Sequence, residues 1–228
     1  MLRNANQEME KVLRSAARLQ EIIPGAVLVG GSAATIHAQH RLSEDHDHVL
    51  RDLDKRFNIV FEALAADSGW ETATAREGKI ILGSLDGVEA GIRQLRREKP
   101  LETEEFVIDA GNEIAIPTLE ETLRIKAYFI VNRNQVRDYL DVIALADKAN
   151  VSNAAKVLNK IDDYYSDLNK YSKSIASELI DRLSDPSPKD RKSIDSLDTY
   201  KGITPLYQDW TLVVEKSRGL ALEMIKNA

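Results

Sequence analysis

Residues 26–50 read AVLVGGSAATIHAQHRLSEDHDHVL. An apolar run, Ala26-Val27-Leu28-Val29, enters Gly30-Gly31-Ser32, and a helix-like segment carrying Ala33, Ala34, Ile36 and Ala38 follows. A strand that turns through glycine into a helix is how backbone amides are brought against phosphate. Glycine permits close approach, and the first turn of a helix presents unpaired N–H groups. Ser32 is placed to cap that helix. Ser43-Glu44-Asp45-His46-Asp47 then leads into His48-Val49-Leu50. If this is a strand, Asp45 and Asp47 share one side, because strand side chains repeat every second residue. Parallel carboxylates beside a phosphate-binding turn suit Mg²⁺, which takes oxygen ligands from protein and triphosphate together. His37, His40, His46 and His48 all fall in this stretch. Their spacing permits a Zn²⁺ site, but with no cysteine and no HExxH pattern they are expected to be polar walls of a phosphate site.

The chain of 228 residues, 43% hydrophobic and 30% charged, has room for one large domain or two small ones. No apolar run approaches the ~20 residues of a membrane span. The opening MLRNANQEMEKVLRSAARL alternates charged and apolar residues and is not a signal peptide. Absence of cysteine excludes disulfides and suits a cytoplasmic protein. A net charge of −6 argues against broad DNA binding while leaving room for a local basic groove that takes RNA.

Outward from the central stretch, residues 5–23 place Met9, Val12, Leu13, Ala16, Leu19, Ile22 and Ile23 at helical spacing, and Pro24-Gly25 ends the helix. Asp52 can cap a second helix with Leu53, Phe57, Val60, Phe61 and Leu64 on one face. Strands are expected over 70–75, 79–85 and 88–95, with Asp86-Gly87 as a hairpin turn. Two-metal transfer sites gather a third carboxylate from a neighbouring strand. Glu89 is the first candidate and Asp86 the second. Arg93, Arg96, Arg97 and Lys99 in RQLRREK form either a basic rim for a polyanion or an edge strand protected by charge. Glu113-Ile114-Ala115-Ile116 reads as a last strand, and Thr118 with Glu121 as the capping box of a helix. That helix, LEETLRIKAYFIVNR, sets Lys126 at the edge of an apolar stripe. In NQVRDYLDVIALADK, Arg137, Asp138 and Asp141 share an exposed or cleft-facing side, with salt bridging to Arg133 or Arg137 as the plain alternative. Residues 154–168, 175–183 and 210–225 read as further helices, and 184–190 as a loop. Tyr164, Tyr165, Tyr171, Tyr200 and Tyr207 are expected to pack rather than to stack on bases.

The ordered set GGS, helix, RxSxDxD and later PTLEETLRIKAYFIVNRNQVRDYLDVIALAD resembles the AbiEii/AbiGii toxin family of nucleotidyltransferases over residues 26–148. The resemblance implies an α/β (α+β) nucleotidyltransferase core with a mixed sheet flanked by helices, followed by an α-helical C-terminal region. The boundaries expected are 1–117 for the core and 118–228 for a helical region completing the active-site cleft. By the same resemblance Gly30, Gly31 and Ser32 hold the triphosphate and Asp45 and Asp47 bind the metals. Lys126 contacts phosphate, Arg133 is the intervening arginine, and Asp138 or Asp141 is the later acidic motif. Glu89 stands where Asp is usual.

The activity implied is transfer of NMP from an NTP, assisted by Mg²⁺ with Mn²⁺ as a substitute. The acceptor expected is an RNA 3′ end, in particular a tRNA, in a toxin-like protein with a cognate antitoxin. Two ions held by Asp45, Asp47 and Glu89 would serve the triphosphate, and Lys126 would grip it. The alternatives are a small-molecule or protein-hydroxyl acceptor, and a non-catalytic nucleotide-binding module of the same fold.

Overall fold

The computed structural model describes residues 2–109, 111–170 and 172–228, with side chains from residue 7 onward; Tyr171 lies outside the described residues. The chain forms two compact units. One comprises Met1–Ala33, Leu42–Arg96 and Pro100–Thr118, and the other Ala34–Arg41, Arg97–Lys99 and Leu119–Ala228. A single cut at residue 117 therefore misses two short excursions, 34–41 and 97–99, that belong with the helices.

The first unit is built on a mixed sheet with strand order β1-β2-β5-β4-β3. Its strands are β1 (Val27–Val29), β2 (His46–Leu50), β3 (Trp70–Arg76), β4 (Ile80–Leu85) and β5 (Val88–Gln94). Only β2 and β5 run parallel; the other neighbours are antiparallel. Helices α1 (Leu2–Ile22) and α3 (Leu53–Ala66) pack on the sheet. Leu19, Ile23, Leu53, Val60 and Leu64 meet Leu50, Trp70, Ile81, Leu85, Ala90 and Ile92 in one apolar cluster. The strand period explains the match: Leu50, Ile81, Leu85, Ala90 and Ile92 alternate with residues aimed at the other side of the sheet. Asp52 makes no side-chain cap for α3; its carboxylate accepts from Arg56 Nε at 2.9 Å. Asp86 (φ 52°) and Gly87 (φ 72°) form the turn joining β4 to β5, a pair of positive φ angles that Asp-Gly tolerates. A separate hairpin pairs β6 (Thr103–Asp109) with β7 (Asn112–Pro117). The Gln20 side-chain amide both donates to Ala115 O (3.0 Å) and accepts from Ala115 N (2.8 Å), docking β7 on α1.

Strand β5 lies at the centre of the sheet, so the edge-strand explanation of RQLRREK does not hold. The strand ends at Gln94, and the basic run leaves it. Strand β6 has no counterpart among the expected elements; its residues TEEFVID are mostly exposed and lack an alternating apolar face.

The second unit is helical. Its helices are α4 (Leu119–Asn132), α5 (Val136–Ala149), α6 (Val151–Leu158), α7 (Asp162–Tyr165), α8 (Ile175–Ser184), α9 (Pro205–Gln208) and α10 (Trp210–Lys226), with 3₁₀ segments at Ser166–Leu168 and Arg191–Thr199. α5 is buried almost all round and packs against α4, α6 and α10. Tyr139 at its heart donates to Asn134 Oδ1 at 2.7 Å and meets Trp210 edge-on. Helix α2 (Gly30–Ala38) begins in the first unit and ends in the second.

Candidate functional site

In the first unit, α2 begins at Gly30, three residues earlier than a Ser32 cap requires. Gly30 has φ +75°, a conformation that L side chains rarely adopt. A Cβ built there would lie 3.6 Å from Asp47 Oδ2, so the first turn of α2 passes alongside the Asp47 carboxylate. Ser32 is buried, and its hydroxyl donates to Asp45 O at 2.6 Å. Ser43 Oγ donates to Asp45 Oδ1 at 2.8 Å. Gly30, Gly31, Ser32, Asp45 and Asp47 are thus brought together locally. Ser32 does so by pinning the backbone at Asp45 to the helix.

Asp47 is on the half-open side of β2, and the register sets Gly91 of parallel β5 directly beside it. Glu89 is two residues back along β5 and exposed, on the same face as Gly91. That is about 7 Å along the strand from the position beside Asp47. Arg93, two residues on, shares the face as well. Its Nε stands 3.4 Å from Asp47 Oδ1, with both side chains partly open to solvent. Asp86 is engaged elsewhere, in an ion pair with Arg18.

His46 and His48 face the other way. The alternation that exposes Asp47 buries both rings on the helix side of the sheet. They therefore do not wall the carboxylate face. His46 Nε2 meets Ser15 Oγ at 3.0 Å, and Ser15 also donates to Leu85 O at 3.1 Å. That bond leaves Ser15 Oγ as the acceptor and His46 Nε2–H as the donor. Burial pushes His46 down to about 4 and His48 well below the ordinary imidazole value. Among the described residues, no group of three or more His, Cys, Asp or Glu could hold a metal ion. Asp47 lies on β2 and Asp45 immediately before its start, two carboxylates of the kind that one Mg²⁺ takes together with phosphate and water oxygens. They do not fit the two-ion cage expected with Glu89.

In the second unit the acidic and basic motif residues form two buried clusters. Asp141 is fully buried and receives four contacts: His40 Nε2 (2.7 Å), Arg41 Nε (2.8 Å), Arg41 Nη2 (3.0 Å) and Lys126 Nζ (2.7 Å). Burial alone would raise the Asp141 pKa; Arg41, Lys126 and His40 outweigh it and hold the group well below its usual range. Asp138, also buried, takes both oxygens to Arg133 (2.6 to 3.1 Å) and accepts from the backbone N–H of Gln135 (3.2 Å), closing the start of α5. The cleft-facing arrangement expected for Asp138 and Asp141 is replaced by burial, and Arg133 is the bridging arginine. Arg97 and Arg124 both pair with buried Glu121. Lys99 lies 3.6 Å from the centre of the Tyr164 ring. Tyr165 and Tyr207 are buried in packing roles.

The sequence pattern gave no part to Gly91 or Arg41, left Arg93 in an undifferentiated basic run, and assigned His40 to the wall of a phosphate site, where the structure sets it on Asp141. The motif RxSxDxD does contain Arg41, and its separation of 100 residues from Asp141 hides the pairing.

The fold is that of a nucleotidyltransferase. MenT4, a nucleotidyltransferase toxin of Mycobacterium tuberculosis H37Rv, superposes with a TM-score of 0.64 over 95% of this chain and 82% of that one, at 15% identity. No protein-family model matches the sequence. The heme uptake protein MmpL11 of M. tuberculosis is 30% identical over 203 residues, which are 80% of this chain and 20% of that protein. The mycolic acid-containing lipids exporter MmpL11 of Mycolicibacterium smegmatis is 31% identical over 237 residues, 98% of this chain and 22% of the exporter. The chain thus spans about a fifth of the length of the curated relatives it matches. Among the described residues, no helix is long and apolar enough to cross a membrane.

Proposed function

We propose that this protein is a divalent-cation-dependent nucleotidyltransferase that moves NMP from an NTP to an RNA 3′ end, in particular that of a tRNA. One observation carries the proposal: the glycine-led first turn of α2 is fastened beside Asp45 and Asp47 by the Ser32 bond and the close approach at Gly30. Backbone N–H groups at the start of α2 would donate to phosphate oxygens. Asp45 and Asp47 would hold Mg²⁺ or Mn²⁺ among those oxygens. The cation, when bound, neutralises the triphosphate and stabilises the departing pyrophosphate. Lys126, buried and paired with Asp141 within the second unit, has no part in this proposal. The MenT4 likeness supports a toxin-like role with a cognate antitoxin. The heme-uptake and lipid-export activities in the relatives' names belong to much longer chains and form no part of this proposal.

Incubation with Mg²⁺, each labelled NTP in turn and total RNA should label a tRNA-sized band with the intact protein and not with Asp45→Ala/Asp47→Ala. Label on protein or a small molecule would move the acceptor and keep the chemistry. Label that persists in the double variant would refute the site. Gly91, in place of a carboxylate beside Asp47, favours a second reading, a nucleotide-binding module without turnover. NTP binding with no label on any acceptor would establish it.

A further inference from the structure

We infer that the carboxylate face of the first unit takes one divalent cation per chain, and that the Arg93 guanidinium supplies the positive charge a second ion would bring to the triphosphate. This rests on the nucleotidyltransferase reading above and says how its site is charged. Transfer through two ions needs carboxylates enough for each ion to have its own protein ligands, and among the described residues no third His, Cys, Asp or Glu joins Asp45 and Asp47 in a group that could hold a metal ion. Level with Asp47 on the neighbouring strand the register puts Gly91. A Cβ on residue 91 would lie 2.5 Å from Asp47 Oδ1 and 3.0 Å from Leu82 Cδ2. The strand pair is thus built around a missing side chain, and the Asp47 carboxylate fills the space. Arg93 then projects from the same face of β5 with Nε 3.4 Å from Asp47 Oδ1. A guanidinium brings a planar set of donors that matches phosphate oxygens, and it keeps its charge at any working pH. With Mg²⁺ on Asp45 and Asp47, Arg93 loses its carboxylate partner to the metal and is free to turn to the phosphates.

The test is Mn²⁺ binding measured by calorimetry and by electron paramagnetic resonance, with and without the four α,β-methylene NTPs, which cannot transfer. The full chain should bind one Mn²⁺ in the presence of nucleotide, and Asp47→Asn should abolish it. Arg93→Ala should leave the stoichiometry at one. It should tighten metal binding by up to about fivefold, the ceiling for releasing an exposed ion pair, and weaken nucleotide binding. Glu89→Gln should change neither number. Two Mn²⁺ per wild-type chain, or loss of metal in Glu89→Gln, would overturn the inference and leave the transferase standing. Unchanged nucleotide affinity in Arg93→Ala would overturn the part assigned to Arg93. No Mn²⁺ bound at all would overturn the metal-dependent function itself.

Discussion

Replacing Asp141 by Asn separates a structural carboxylate from a functional one. The substitution keeps the shape and removes the charge that Arg41 and Lys126 share, leaving side chains only 9% and 3% exposed without their counter-ion. The new amide also turns an N–H₂ group toward one of these donors. Removing one partner of a buried pair costs about 3–5 kcal/mol, a large part of the ~5–15 kcal/mol that holds a domain together. At roughly 2–4 °C per kcal/mol for a chain of this size, the melting point should fall by about 6–20 °C. Asp47→Asn disrupts only a half-open pair with Arg93 and should cost about 1 kcal/mol or less. Calorimetry with far-ultraviolet circular dichroism would record both variants, and urea titration would give their free energies. The pH dependence adds a check. A depressed carboxylate stabilises the fold above its unfolded pKa, and that stability is lost only as pH falls through the folded value, well below the usual 3.8. The Asp141→Asn deficit should therefore be undiminished from about pH 8 to pH 5. A melting point within about 2 °C of wild type, or a larger loss for Asp47→Asn, would refute the electrostatic hub.

His46 titrates in the same sense, in a higher pH window. Between the ordinary 6.5 and the folded value of about 4, the unfolded chain takes up a proton that the buried ring refuses, so stability falls as pH drops through that window. At 1.36 kcal/mol per unit the loss approaches about 3 kcal/mol; urea midpoints from pH 7 to 4.5 should show it, and His46→Gln should flatten the slope. Gly83→Ala should destabilise the first unit by about 1–3 kcal/mol. Its Cβ would be driven into Glu71 O and to 2.6 Å from the Trp70 ring, on a strand that cannot step aside. A melting point unchanged by Gly83→Ala would show that β3 and β4 separate easily.

The β1–α2–β2 arrangement was legible because it is local. Glycine at the turn and carboxylates two residues apart state their geometry within a few positions, and Gly30 does lie against Asp47. The same alternation also fixes the histidines, since aiming Asp47 to one side must send His46 and His48 to the other; reading all polar residues of the stretch as one wall overlooked it. What lay beyond reach depends on pairings distant in sequence. Parallel β2 and β5 are separated by α3, β3 and β4, so nothing local says that Gly91, rather than Glu89, is level with Asp47. Asp138 and Asp141 look equally polar on a helical wheel, yet α5 is buried on nearly every side and each acid is there because it has cationic partners. β6 was missed because its exposed, acidic residues carry no period-two signal.

The most direct test of nucleotidyl transfer compares NTP labelled at the α-phosphate with the same NTP labelled at the γ-phosphate, using total RNA, Mg²⁺ and either wild-type protein or Asp47→Asn. The α-label should appear on the acceptor with wild type alone, and the γ-label should leave as pyrophosphate. Transfer of the γ-label to the acceptor, or equal α-labelling by Asp47→Asn, would contradict the assignment of this site to nucleotidyl transfer.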